Sequence, residues 1–389
     1  MKTRIILFVS ASLALLSSCA DVVTYDTDLP DRFANSGAPV IEAVFDIHDG
    51  GLETPLEEGA LAQYIHIKGK NLANPVAVTF NGEEADLSQC YCENEDSYIL
   101  IPRRMPVNVN DMLDYRTSEG LASFHFPIKI PELSLTGLAN EYAHAGRSVA
   151  VVGDYFDLFG FGVEGSSASI TIGGNPVQVD SVSASYLSIV IPEGTPDGSL
   201  INFAWEDCEK GPQTKRIPFR NKDYLFFGDF ETAGFWSDAL KAQHLTDGSA
   251  PGDPESPGYR FLHFAGDIPG NSWYSIGLGD GWYYDTPEDW QDWVFKFELW
   301  TNSAYPVPAY SSGGIFVQLN LMENTILDLG GAALNTGGEW RTMRFPLSSI
   351  VSKMPKKGDY WGFAFTVSPP SDWTVDFAVG NFRIEPANY

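Results

Sequence analysis

The chain has 389 residues, with 24 Lys and Arg against 51 Asp and Glu, and a formal net charge of −27. That balance excludes nucleic acid and polyanionic sugars as ligands, because both need clustered cations, and it leaves neutral ligands. At roughly 100–200 residues per domain, the length accommodates two to four domains, each large enough for its own core.

Lys2 and Arg4 precede an apolar run from Ile5 to Leu16, which ends in Leu16-Ser17-Ser18-Cys19. The run is too short for a bilayer, which takes about 20 residues, but it suits the central region of an export signal. Leu-Ser-Ser-Cys resembles the lipobox of bacterial lipoproteins. The resemblance implies loss of residues 1–18 and lipidation of Cys19. The acidic start that follows, with Asp21, Asp26 and Asp28, resembles the signal that carries lipoproteins of Bacteroidetes-type bacteria to the outer face of the outer membrane. A lipid-anchored protein at the cell surface is implied. Residues 19–38 are polar, lack periodicity and hold Pro30, Asn35, Ser36 and Gly37, so they read as a tether. No later segment is long and apolar enough to be a transmembrane helix.

From Pro39 the pattern becomes short alternating strands separated by Gly, Asn and Pro, the pattern of a β-sandwich. Tyr64 to Leu72 ends in Gly-Lys-Asn-Leu, and Val76 to Gly82 ends in Phe-Asn-Gly, where Asn-Gly is a type I′ turn signal. These two segments, with the closing strand Tyr98 to Pro102, resemble the IPT/TIG family of immunoglobulin-like domains. A second copy follows. Ser148 to Phe156 aligns with the first strand and turn, Ala168 to Gly174 with the hairpin, and Leu187 to Pro192 with the closing strand. Two immunoglobulin-like domains are expected, at 39–131 and 132–221, acting as spacers. Besides Cys19 the chain has Cys90, Cys92 and Cys208, an odd number without repeated spacing, so no disulfide framework is expected. Cys90 and Cys92 read as same-face thiols on one strand or as half of a metal site with nothing to supply the other half.

The composition shifts at Asn221, beyond which nine of the ten Trp residues lie. Strand patterns at Tyr259–Phe264, Ile315–Met322, Trp340–Leu347, Tyr360–Val367 and Val375–Ile384 predict a third all-β domain, 222–389, and limited proteolysis is expected to cut near Asn221 and free it. Within it, Asn271 to Tyr310 holds five Trp and five Tyr. Rings with an apolar body and a polar handle suit wet binding surfaces. Along Trp293 to Trp300 the period-two rule assigns Phe295 and Phe297 to the core and Lys296, Glu298 and Trp300 to the opposite, wet side. The same rule sets Trp273 opposite Tyr274, Ile276 and Leu278, beside the small Ser275 and Gly277. Gln318, Asn320 and Tyr360 fall on the outward parity of their own strands, and Trp282 and Tyr283 belong to the aromatic stretch. Together these nine residues predict one sugar-binding face. Aromatic rings accept the C–H groups of a pyranose, while amides and charged groups pair with its hydroxyls at about 0.5–1.5 kcal/mol per bond. Trp340 and Trp361 sit in phase with apolar neighbours and read as structural.

Three further segments, Phe227 to Glu231, Gly338 to Leu347 and Ala378 to Ile384, resemble the first, penultimate and last strands of carbohydrate-binding jelly rolls. With the lipobox and both immunoglobulin-like copies, the whole chain resembles the surface glycan-binding lipoproteins of SusC/SusD-type polysaccharide utilization systems. The resemblance implies an all-β chain of two IPT/TIG sandwiches and a jelly-roll β-sandwich. It also implies capture, without catalysis, of a neutral polysaccharide such as a β-glucan or xyloglucan beside a SusC/SusD-like transporter. No cofactor is implied beyond a structural calcium that such jelly rolls often hold, with Asp229, Glu231 and Asp376 in the corresponding places. The alternatives are a protein-binding adhesin and, less favoured, a glycoside hydrolase, for which acidic candidates such as Asp285, Glu288, Asp289 and Glu298 are too abundant to carry weight.

Overall fold

The structure, a computed structural model, describes residues 31–225, 230, 243–278, 288–308, 314–318, 325–326, 334–354 and 363–388. The chain divides into two compact units, residues 1–130 and 131–389.

In the first unit two antiparallel sheets form a sandwich. One orders Val40–Asp46, Tyr64–Lys70, Asp96–Leu100 and Tyr91–Cys92, and the other orders Glu83–Glu84, Ala77–Phe80, Met112–Thr117 and Gly120–His125. Alternation along Tyr64–Lys70 and Asp96–Leu100 turns Ile65, Ile67 and Ile99 into a core with Val78, Phe80, Leu113 and Tyr115. Asn81 and Gly82 both have positive φ, 49° and 83°, as the I′ hairpin requires. The last residues of the expected tether are fastened to this domain. Asn35 exchanges hydrogen bonds with the Ala73 backbone, and Asn71 Oδ1 accepts from the Ser36 N–H at 2.9 Å.

The second unit begins with a sandwich of the same strand order. Ser134–Leu138, Ser148–Asp154, Tyr186–Val190 and Gln178–Val182 form one sheet, and Asn175–Pro176, Ser169–Ile172, Leu200–Asp207 and Gly211–Pro218 form the other. The duplication extends to backbone detail. In each copy the first strand pair carries a bulge, and the glycine opposite it, Gly69 or Gly153, has no room for a side chain, since a Cβ would lie 1.9 Å from Val40 O or 2.0 Å from Ser134 O. In each copy the following turn holds a left-handed residue, Asn71 at φ 58° and Tyr155 at φ 70°.

The C-terminal sandwich has a five-stranded sheet, Leu245–Thr246, Phe261–Ile268, Trp373–Pro386, Trp293–Thr301 and Arg341–Pro346, facing a four-stranded sheet, Tyr274–Leu278, Phe363–Val367, Ile315–Gln318 and Thr325–Ile326. Between them lie Phe295, Phe297, Phe363, Phe365, Phe377 and Phe382, every one fully buried. Each such side chain contributes about 1.5–3 kcal/mol of burial. Residues Val375, Phe377 and Val379 of the long strand face this core, but so do Phe382 and Ile384, so the parity reverses between them. The reversal comes from a bulge opposite Phe297, where Asn381 adopts φ 54°. Its consequence is that Arg383 and Glu385 emerge on the face that also carries Lys296 and Glu298.

Candidate functional site

The parity argument for Trp293–Thr301 holds for the core side, yet the opposite side is not wet. Lys296 is 5% exposed and Glu298 fully buried, because the second immunoglobulin-like domain covers them. Lys296 Nζ donates to Glu141 Oε1 at 2.9 Å and to Glu385. Arg383 Nη2 donates to Glu141 Oε2 at 2.6 Å and to Glu298 Oε1 at 3.0 Å, while Arg344 Nη2 reaches Glu141 Oε1 at 2.9 Å. Thr342 Oγ1 donates to Glu298 Oε2 at 2.9 Å and accepts from the Glu141 N–H at 2.8 Å. The Arg383 guanidinium also lies 4.9 Å from the centre of the Tyr142 ring. Three cations thus meet three carboxylates across the domain boundary. Burial pushes the Glu141 carboxyl up, but Lys296, Arg383 and Arg344 outweigh it and hold the group well below the usual carboxylate range. For Glu298 burial wins over Arg383, and its pKa is raised. Lys296 and Glu298 therefore leave the predicted sugar face, since a hydroxyl could reach them only by prising two domains apart.

The other predicted residues fall into separate places. Trp273 is 59% exposed, at the start of Tyr274–Leu278, while Tyr274 packs on the core behind it. Next to Trp273, Ser275 Oγ accepts from Thr366 Oγ1 at 2.9 Å. Register places Gln318 beside Ala364, and Ala364 beside Gly277. Trp300 belongs to the other sheet of the sandwich. It is half-buried against Phe261, Trp340 and Ala378, with its ring edge-on to His263 at 6.2 Å. Trp273 and Trp300 therefore do not share one surface, and the single predicted face becomes two. Trp282, Tyr283, Asn320 and Tyr360 lie outside the described residues, as does Cys19.

Trp340 is structural in the way its phase suggests, packed 5.1 Å from Phe261 with its Nε1 donating to Glu255 O at 2.7 Å. Of the calcium candidates, Asp229 and Glu231 lie outside the described residues. Asp376 is already engaged, one oxygen 2.7 Å from His263 Nε2 and the other accepting from Asn302 Nδ2 at 2.8 Å. Among the described residues no three His, Cys, Asp or Glu gather as a metal site. Cys90, Cys92 and Cys208 are free thiols, and burial pushes Cys90 up to about 11, which makes it a poor nucleophile.

Sequence reasoning missed Glu141, Arg344, Arg383 and Glu385. A signal existed, in that Lys296-x-Glu298 and Arg383-x-Glu385 repeat a charged pair at strand spacing on two segments of otherwise apolar phase.

The fold is all-β, two immunoglobulin-like sandwiches and a C-terminal β-sandwich on which Trp273 is exposed. Residues 219–386 match the family model described as the surface glycan-binding protein B xyloglucan binding domain, and residues 138–207 match the IPT/TIG domain. Over residues 219–386 the chain is similar to this family of surface glycan-binding proteins. Comparison with curated proteins finds no match. Among solved structures, surface glycan-binding protein B of Prevotella bryantii shares the fold at TM-score 0.52 and 16% identity, covering 91% of this chain and 100% of that one. A surface glycan-binding protein B from a complex xyloglucan utilization locus of Bacteroides uniformis matches at TM-score 0.45 and 19% identity, over 90% of this chain and 99% of that one.

Proposed function

We propose that this chain captures a neutral polysaccharide of the xyloglucan or β-glucan type at the bacterial cell surface, without cleaving it. The observation that carries the reading is the match of residues 219–386 to a xyloglucan-binding domain. The exposed Trp273 beside Ser275 and Gly277 supports it, since a large ring flanked by small residues leaves space for a pyranose to stack. The net charge of −27 supports a neutral glycan over an anionic one. Glu298, one of the carboxylates that a hydrolase reading would use, is tied to Arg383 and Thr342 and has no access to a glycosidic bond. In this reading Cys19 carries the lipid that holds the protein on the outer membrane, and a SusC/SusD-like transporter receives the captured glycan. Affinity electrophoresis through gels containing xyloglucan, mixed-linkage β-glucan or a polygalacturonate tests the reading. Retardation by a neutral glucan and not by the polyanion is expected, and free migration in every neutral gel would overturn it.

A further inference from the structure

Beside the buried ion cluster, the second immunoglobulin-like domain and the C-terminal sandwich line an open cleft of about 770 Å³. That volume falls within the range of roughly 300–1,000 Å³ common to small-ligand sites. One wall comes from the sheet containing Ser148–Asp154 and Tyr186–Val190, where Tyr186 pairs with Val152 and Ser188 with Ala150. Tyr186 is 47% exposed there, above small neighbours. The other wall carries Trp300, backed by Trp340 and Phe261. Among the described residues, none pairs with the Tyr186 hydroxyl or the Trp300 indole N–H. Exposed Glu339 and Arg341 also line the cleft and supply an acceptor and a donor of opposite charge.

The cleft is held open by contacts that do not depend on a ligand. Arg147 grips Glu255 across the domain boundary with two hydrogen bonds, at 2.8 and 2.7 Å, and His144 Nε2 lies 2.9 Å from Ser256 O. Arg344, whose guanidinium is fixed on Glu141, braces it from below. A preformed cleft avoids the ordering cost that a mobile loop would incur on binding. Two aromatic groups on opposing walls, hydroxyl and charged groups around them, and a balanced charge are the features that accept a flat, uncharged, hydroxyl-rich ligand.

We propose that this cleft is a second glycan site, which takes a short uncharged oligosaccharide segment between Tyr186 and Trp300 and is separate from the sheet face that carries Trp273. The proposal rests on the glycan-binding reading above. It gives the second immunoglobulin-like domain a share in binding.

The test labels the ten Trp residues of the full chain with 5-fluorotryptophan and titrates in a xyloglucan oligosaccharide while following the ¹⁹F spectrum. The Trp273 and Trp300 signals are assigned from Trp273→Phe and Trp300→Phe. In the wild type both signals should shift. In Tyr186→Ala the Trp300 shift should weaken at least tenfold in apparent affinity while the Trp273 shift and the melting temperature stay unchanged. A Trp300 signal that does not move at saturation of the Trp273 site, or that moves equally in Tyr186→Ala, overturns the cleft proposal alone. If no signal moves with any neutral oligosaccharide, the glycan-binding reading falls and the cleft proposal falls with it.

Discussion

Glu141, in the second immunoglobulin-like domain, accepts a hydrogen bond at 2.6 Å from Arg383, which lies 242 residues further along the chain on the long strand of the C-terminal sandwich. Both side chains are buried, and Glu141 also receives Lys296 and Arg344, so one carboxylate neutralises a whole face of the neighbouring domain. Removing one partner of a buried pair leaves the rest charged and uncompensated, at a cost of about 3–5 kcal/mol. Glu141→Ala should lose that much stability in urea denaturation. Glu298→Gln should cost less, because Arg383 keeps Glu141.

Domain release should follow the same logic. Release of a separate C-terminal domain by proteolysis near Asn221 would have to break several contacts, since Tyr142 Oη donates to Asn221 O, and Arg220 Nη1 donates to Tyr142 O at 2.9 Å and to Pro257 O at 3.0 Å. Limited proteolysis should instead divide the chain near Ile130–Pro131 and keep 131–389 as one piece. A stable fragment beginning at Tyr224 would contradict the interlocked interface.

The duplicated sandwiches were legible because their signals are local. A glycine facing a bulge, a left-handed Asn and an Asn-Gly turn each constrain the backbone within a few residues, and Gly69, Asn71 and Asn81 show it. The core rings Phe295 and Phe297 were legible from alternation alone. Lys296 and Glu298 were not read correctly, because a charged face at period two has the same sequence whether water or another charged domain covers it. The partner of Lys296, Glu141, lies 155 residues away, and nothing in the pattern around Glu141 points forward to it. The bulge at Asn381 hid the rest, since it reverses the parity by which Arg383 and Glu385 would have been placed.

Acid should act on the interface in a defined direction. Glu141 is held below the ordinary range on folding, so its contribution is fully present above the unfolded value of roughly 4.3 and is lost as pH falls below it. Glu298 is raised by burial, so its charged form costs stability near neutrality, and that cost is relieved as pH falls toward the unfolded value. Above about pH 4 only the Glu298 relief changes with pH, and below it only the Glu141 loss. Urea midpoints should therefore fall steeply for the wild type between about pH 4 and pH 3, and less steeply for Glu141→Gln. Equal slopes would remove Glu141 as the cause.

Gly69→Ala and Gly153→Ala test whether the two immunoglobulin-like copies rest on the same backbone device. Each added Cβ would collide with a carbonyl oxygen of the paired strand, not with a side chain that could turn away. Forced repacking of this kind costs about 1–3 kcal/mol or more. Both variants should lower the melting temperature of their own unit, whereas an alanine at the open Gly174 or Gly82, with no neighbour near its Cβ, should cost only what a positive φ imposes.

Anchoring has a separate test. Cys19→Ala should shift the protein from the membrane fraction to the soluble fraction, because one Cys is the proposed site of acylation. Unchanged membrane association would refute the lipid anchor while leaving glycan binding untouched.

Trp273, Trp300 and Phe297 separate ligand contact from packing. Trp273 is exposed, so Trp273→Ala should leave the melting temperature almost unchanged and cost roughly 1–3 kcal/mol of polysaccharide binding, by analogy with stacking on other aromatic platforms. Phe297 is fully buried, with Phe345, Phe365 and Phe382 within 6.0 Å of its ring centre, so Phe297→Ala should destabilise the sandwich by about 3–5 kcal/mol through the cavity it leaves. Trp300 was expected to behave like Trp273, but it packs on Phe261, Trp340 and Ala378, so Trp300→Ala should lower stability as well as binding. Melting temperature and affinity measured together on the three variants decide the assignment. A Trp273→Ala protein that binds normally would move the face to the aromatic stretch around Trp282 and Tyr283. A Trp300→Ala protein of unchanged stability would mean that its ring is not part of the packed cluster.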